Sequence, residues 1–165
     1  MVKYQKGYLN MAVSEKVNEL YVGFKGVNNS SYRLVSRIGR DRLFLTNSFD
    51  GLARDIDGIK GEYSRIYMFG IDSRLGACVR IETCAALDGT TLYSNIDIPQ
   101  ICAAFDEAGI ESHASKTPTS YLCNAAYFNM LERYGGNTVF THIPSIKYAK
   151  DKFLDTVAGV FLNLK

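Results

Sequence analysis

None of the four cysteines, at positions 78, 84, 102 and 123, stands in a CxxC or CxxH spacing, and their neighbours read as core strand and helix. That pattern indicates neither a structural zinc site nor a disulfide framework. No apolar run approaches the roughly 20 residues of a membrane-spanning helix. Met1-Val2-Lys3-Tyr4-Gln5-Lys6 is not followed by the apolar segment of a signal peptide, so a reducing, cytoplasmic setting is expected and a membrane partner is not. Charge of one sign is also scarce. Nineteen Lys and Arg against 17 Asp and Glu leave a formal net charge of +2, with one small basic cluster at Arg37, Arg40 and Arg42. A nucleic-acid groove would ask for a broader basic face, so no nucleic-acid partner is expected. There is no internal repeat and no low-complexity segment.

What is present fits one globular domain over residues 1–165: 47% hydrophobic and 22% charged residues suffice for a single substantial core. Residues 1–13 carry no clear period and read as a loose extension. Glu19-Leu20-Tyr21-Val22-Gly23-Phe24 reads as a strand, with a helix over 13–22 as the alternative, and Asn28-Asn29-Ser30-Ser31 suits the cap of a helix over 32–38. Further strands are expected at 42–46, 65–70, 110–114 and 138–141. Residues 77–87 read as one extended stretch, an edge or hairpin strand ending at the Asp88-Gly89 turn. Helices are expected over 49–59, capped by Asn47 or Ser48, and over 98–108, 120–134 and 150–164. Alternating strands and helices of these lengths imply an α/β fold, three-layer α/β/α with a mainly parallel sheet.

The stretch Thr117-Pro118-Thr119-Ser120-Tyr121-Leu122-Cys123-Asn124 puts a cysteine in the first turn of a helix, with Thr119 or Ser120 able to cap it. Free N–H groups and the positive helix end favour the nucleophilic thiolate there. In an open α/β sheet, reactive groups gather at the carboxyl ends of strands. His142 is expected just beyond strand 138–141, and Glu82 lies on the extended stretch after the Gly70 strand. Cys123, His142 and Glu82 would supply a nucleophile, a base and a carboxylate that fixes the imidazole tautomer. Each also has an ordinary reading: a helix cysteine is usually a small buried hydrophobe, His142 a loop residue before Pro144, and Glu82 a solvent-facing edge residue. Cys78, Cys84 and Cys102 keep that reading, and His113 reads as structural.

At these residues the chain resembles the pyroglutamyl peptidase I family, the pyrrolidone carboxyl peptidases or cysteine peptidase family C15. The family's S-x-x-A-G-x-Y-x-C-N motif is similar to Ser115 through Asn124, with Tyr121, Cys123, Asn124 and the aromatic pair Tyr127-Phe128 matching. Its F-x-H-x-P motif is similar to Phe140-Thr141-His142-Ile143-Pro144. Its I-x-x-E-R-x-A-x-N stretch is similar to Val79-Arg80-Ile81-Glu82-Thr83-Cys84-Ala85. Weaker similarity covers most of the chain and favours 19–24 as a strand. The departures fall on substrate-binding loops: G-F-x-P-F-G-G is cut to Gly23-Phe24-Lys25-Gly26, G-x-A-G/P-G-R becomes Gly70 through Gly76, the A-G before the cysteine is Thr119-Ser120, and the hairpin after the glutamate is shorter.

The resemblance implies a cytosolic thiol exopeptidase that removes an N-terminal pyroglutamyl residue, through Cys123, His142 and Glu82. It implies that Phe24 packs on the lactam ring and that Ile71 offers main-chain contacts. The partner would be a peptide with a blocked N-terminus, with no metal or organic cofactor. The family is often oligomeric, and the chain's scattered tyrosines permit a homo-oligomer. Because the altered positions lie in the pocket loops, a hydrolase or amidase for a different small acyl group, and a non-catalytic homologue, stand as alternatives.

Overall fold

The computed structural model describes residues 17–165, so the expected extension at 1–13 lies outside the described residues. The helical alternative over 13–22 gives way to a strand, β1 (Glu19–Phe24), and the chain continues through α1 (Ser30–Ser36), β2 (Arg42–Leu45), α2 (Phe49–Asp57) and β3 (Arg65–Ile71). β4 (Cys78–Glu82), β5 (Cys84–Leu87) and β6 (Thr90–Tyr93) follow, then α3 (Ile98–Glu107), β7 (Glu111–Ser115), α4 (Tyr121–Arg133), β8 (Thr138–Ile143) and α5 (Asp151–Leu162).

Several boundaries follow from local chemistry. Asn29 caps α1 by accepting from the Ser31 and Tyr32 amides, and Ser48 caps α2 by accepting from Gly51 N at 3.1 Å. β5 and β6 form a separate hairpin, with Asp88 and Gly89 at φ 47° and 79°, the left-handed pair that a two-residue type I′ turn requires.

The six-stranded sheet has the order β2-β1-β3-β8-β4-β7. β2, β1, β3 and β8 are parallel, β4 pairs with β8 in antiparallel register, and β7 runs parallel to β4. The expected mainly parallel three-layer architecture is present, with one reversal that the sequence did not announce. The expected single stretch over 77–87 is corrected in two respects. It breaks at Thr83, whose amide donates to Ser115 O and whose carbonyl accepts from Ser94 N, and its first half is an interior strand because Val79 and Ile81 are fully buried.

Strand alternation sorts side chains between two cores. Tyr21, Tyr67, Phe69, Val79, Ile81, Val139 and Ile143 face α1, α3 and α5, where the Phe161 ring packs on Tyr67, Phe69 and Phe105. Val22, Met68 and Phe140 face α2 and α4, packing with Leu52, Ala126, Tyr127 and Met130. Gly70, Arg80, Glu82 and His142 have the parity of this second face, the face covered by the cysteine helix. No helix among the described residues is long and apolar enough to cross a membrane.

Candidate active site

His142 is the penultimate residue of β8 rather than the first residue beyond it, because the ladder with β3 continues through Gly70 opposite His142 and Ile71 opposite Ile143. Across the antiparallel pair, Arg80 stands opposite His142 and Glu82 opposite Phe140, so Glu82 is the diagonal neighbour of the imidazole. His142 Nδ1 lies 2.8 Å from Glu82 Oε1, both side chains being buried. The Glu82 backbone is held too: Tyr127 Oη on α4 donates to its carbonyl at 2.9 Å.

Cys123 is the third residue of α4. Loop 116–120 carries the chain from the end of β7 to this helix. Ser120 occupies the N-cap position but makes no capping side-chain bond, in contrast to the expected cap. Tyr121, the first helical residue, has φ 56°, a left-handed conformation rare for a bulky side chain, and is 82% exposed. Asn124 anchors the next turn to the hairpin: its Oδ1 accepts from Ala86 N at 3.1 Å and its Nδ2 donates to Ala86 O at 2.7 Å. Beneath the sulfur, Gly70 leaves no room for a side chain, since a Cβ there would lie 3.0 Å from Cys123 Sγ and 2.6 Å from Phe140 Cζ.

Cys123 and His142 line one cavity of about 280 Å³ with Ile71, Asp72, Arg74, Arg80 and Tyr121 among its other walls. Of the two residues implied as substrate contacts, Ile71 lines it. Phe24 does not: at 4% exposure it is core, the last residue of β1, packed with the apolar side chains of the α2 and α4 face. His113 is exposed on edge strand β7, with Nε2 3.0 Å from Glu111 Oε1. Cys78, Cys84 and Cys102 are free thiols. The described residues contain no cluster of three or more His, Cys, Asp or Glu able to hold a metal ion.

The missed member of the site is Arg80. Its Nε donates to Glu82 Oε1 at 2.8 Å, its Nη1 donates to Asp72 Oδ2 at 2.7 Å, and its Nη2 lies 3.3 Å from His142 Nδ1. The signal was the R-x-E spacing on a strand, which puts both side chains on one face. Burial alone would raise the Glu82 pKa, but the bonds to His142 and Arg80 outweigh it and hold the carboxyl below its ordinary range. Asp72 is held far lower, first by Arg74, whose side chain and amide both bond it, and further by Arg80, against the effect of burial. The Cys123 thiol is pushed up to about 12 by burial and then by the carboxylates of Glu82 and Asp72, with Arg80 opposing. This reverses the expectation of a ready thiolate at the helix start.

The sequence matches no protein-family model and no curated protein. The fold does have counterparts. Pyrrolidone carboxyl peptidase from Fervidobacterium islandicum AW-1 superposes with a TM-score of 0.73 at 18% identity, covering 89% of this chain and 95% of that one. Pyroglutamyl peptidase I from Bacillus amyloliquefaciens gives 0.75 at 16% identity over 88% and 93%. The fold is that of the pyroglutamyl peptidases. Pyrrolidone carboxyl peptidase from Thermus thermophilus adds a third instance, 0.72 at 19% identity over 87% and 96%. Within the pyroglutamyl peptidase fold, this chain brings Glu82 and His142 into contact on the sheet and puts Cys123 and His142 on one cavity.

Proposed function

We propose that the protein is a cysteine hydrolase that removes a pyroglutamyl residue from the N-terminus of a peptide. The observation that carries this reading is the buried 2.8 Å contact between Glu82 Oε1 and His142 Nδ1 on the sheet face covered by the helix bearing Cys123. An ionised Glu82 accepts from Nδ1–H, which leaves the Nε2 lone pair as the base. With the thiol neutral at rest, its proton passes to Nε2 as sulfur attacks the carbonyl carbon, rather than beforehand. The unpaired amides at the start of α4 are suited to the oxyanion, one such donor typically being worth about 3 kcal/mol in the transition state. Collapse of the tetrahedral adduct breaks the C–N bond, and the imidazolium gives its proton to the departing amine. Water, deprotonated by the same imidazole, then hydrolyses the thioester and restores the thiol.

The cavity is smaller than a site for a drug-sized ligand, which suits a single small cap. One wall of its lining supports a second reading. A neutral lactam calls for an apolar slot, whereas Asp72, Ser73, Arg74 and Arg80 make one side of this cavity charged and polar. An amidase for a more polar acyl cap fits that wall.

Incubation with a pyroglutamyl aminocoumarin amide under reducing conditions is expected to release the fluorophore, with turnover abolished by Cys123→Ser and by His142→Ala. Unchanged rates in either variant would remove the mechanism. Absence of turnover on the pyroglutamyl amide, with hydrolysis of another N-acyl amide in a panel of caps, would select the second reading.

A further inference from the structure

The pair on which the proposed chemistry rests is itself held by a third charge. Arg80 and Glu82 stand two apart on β4 and share a face, and Arg80 is the direct cross-strand partner of His142. Glu82 Oε1 lies 2.8 Å from both Arg80 Nε and His142 Nδ1, while Oε2 has no partner among the described residues. The orientation of this fully buried carboxylate is therefore set by two donors meeting one oxygen. The remaining Arg80 contacts prevent the guanidinium from swinging away. Nη1 is fixed to Asp72, whose own carboxylate is gripped by Arg74 Nε and Nη2 at 3.0 and 2.9 Å, and whose amide donates to Ile143 O at 3.1 Å. The line Arg74, Asp72, Arg80, Glu82, His142 thus runs from the cavity rim to the imidazole.

Glu82, held in place and in its ionised form by Arg80, decides which imidazole nitrogen carries the proton. A guanidinium N–H 3.3 Å from Nδ1 and a carboxylate 2.8 Å from it compete for that atom. An unprotonated Nδ1 would set its lone pair against an ionised oxygen at hydrogen-bond distance. With Nδ1 protonated, the closer contact is favourable and Nη2 passes by without bonding. Arg80 supplies a full positive charge beside Glu82, without which an ionised carboxylate, buried next to a neutral imidazole, would stand uncompensated.

We infer that Arg80 is a positioning residue for the Glu82–His142 pair and that Asp72 is its anchor. This rests on the triad reading above and makes Arg80 neither a substrate-binding group nor a proton carrier. The groups facing Glu82 are Arg80 on its own strand, His142 on β8, and the Cys123 thiol and Tyr127 hydroxyl on α4, with Asp72 and Arg74 reaching it through Arg80. Replacing Arg80 raises the pH at which Glu82 ionises, so the acid limb of the rate profile moves up.

The test uses the intact chain with Arg80→Met, Arg80→Lys and Asp72→Asn. On the pyroglutamyl amide, Arg80→Met is expected to lower kcat by about 10²-fold with KM nearly unchanged, to shift the acid limb upward, and to be partly rescued in Arg80→Lys. A raised KM at unchanged kcat would make Arg80 a binding residue and overturn the inference, as would rates and profile equal to wild type. Two readouts need no substrate: the downfield proton resonance of His142 Nδ1–H, assigned by its absence in His142→Ala, and the pH dependence of Cys123 alkylation by iodoacetamide. Arg80→Met is expected to weaken the first and shift the second. If wild type turns over no pyroglutamyl amide, the functional proposal fails, yet these two measurements still decide the role of Arg80. If Arg80→Met does not fold, Asp72→Asn decides: a weakened resonance supports the anchor, and an unaltered resonance with an unaltered alkylation profile refutes it.

Discussion

Replacing Gly70 by alanine inserts one methyl group where three parts of the site converge. The new Cβ would lie 2.6 and 2.9 Å from Phe140 Cζ and Cε1 and 3.0 Å from Cys123 Sγ. Ordinary carbon contacts are about 3.5–4.0 Å, so the ring edge must retreat by roughly 1 Å. It has little room to do so: Phe140 is fully buried, with Tyr127 at 5.7 Å and His142 at 4.9 Å between ring centroids. Overpacking of this kind costs about 1–3 kcal/mol. At about 2–4 °C per kcal/mol for a domain of this size, the melting midpoint is expected to fall by roughly 2–12 °C. The same methyl crowds the sulfur at 3.0 Å, and an error of about 1 Å in the placement of an attacking atom can cost about 10²-fold in rate. Thermal melts followed by circular dichroism check the first figure, and hydrolysis together with the iodoacetamide rate of Cys123 checks the second. A Gly70→Ala protein that melts within 1 °C of wild type and alkylates at the same rate would refute the packing argument.

Asn124→Ala leaves the Ala86 amide and carbonyl without their side-chain partners and is expected to destabilise the chain by about 2–3 kcal/mol, measured by urea unfolding; a loss under 0.5 kcal/mol would show the clamp to be idle. Tyr121→Gly removes an exposed ring from a left-handed backbone position, so its melting midpoint is expected to hold or rise, where an ordinary first-turn residue would lose stability on the same change. Asp72 and Glu82 both have carboxyl groups held below their ordinary range, so the unfolded chain binds more protons and the stability they confer is lost as pH falls. That contribution is complete above about pH 5 and declines from about pH 4 downward. The midpoint of Asp72→Asn should therefore vary less with pH in that window than that of wild type, and parallel curves would refute the assignment.

Much of the architecture was legible because its signals were local. The β3 strand is a short apolar run, Ser48 and Asn29 cap where capping residues were expected, and Asp88-Gly89 makes the predicted turn, whereas β1 stays open to a helical reading until the resemblance favours a strand. The direction of β4 was not legible, since Cys-Val-Arg-Ile-Glu alternates in the same way whichever way the neighbouring strand runs. That one non-local choice has two consequences at the site. It puts β4 in the sheet interior rather than at an edge and makes Arg80 the cross-strand partner of the imidazole. Phe24 was misplaced for a different reason: a resemblance transfers residue types, whereas strand parity turns this side chain, like that of Val22, into the core under α2 and α4. The altered thiol is likewise a property of the assembled site, because its carboxylate neighbours lie 41 and 51 positions away in sequence.

The reversal of β4 and β7 also divides the site into a frame and a movable part. Glu82, Arg80 and His142 sit on adjacent strands, and their spacing is that of the backbone ladder itself. Cys123 hangs from a short loop and a helix start that share no ladder with them, positioned by Gly70 below and by the Asn124 clamp behind. Edits to loop 116–120 can therefore reposition the attacking atom, or the shape of the opening in front of it, while the proton-handling half stays in register.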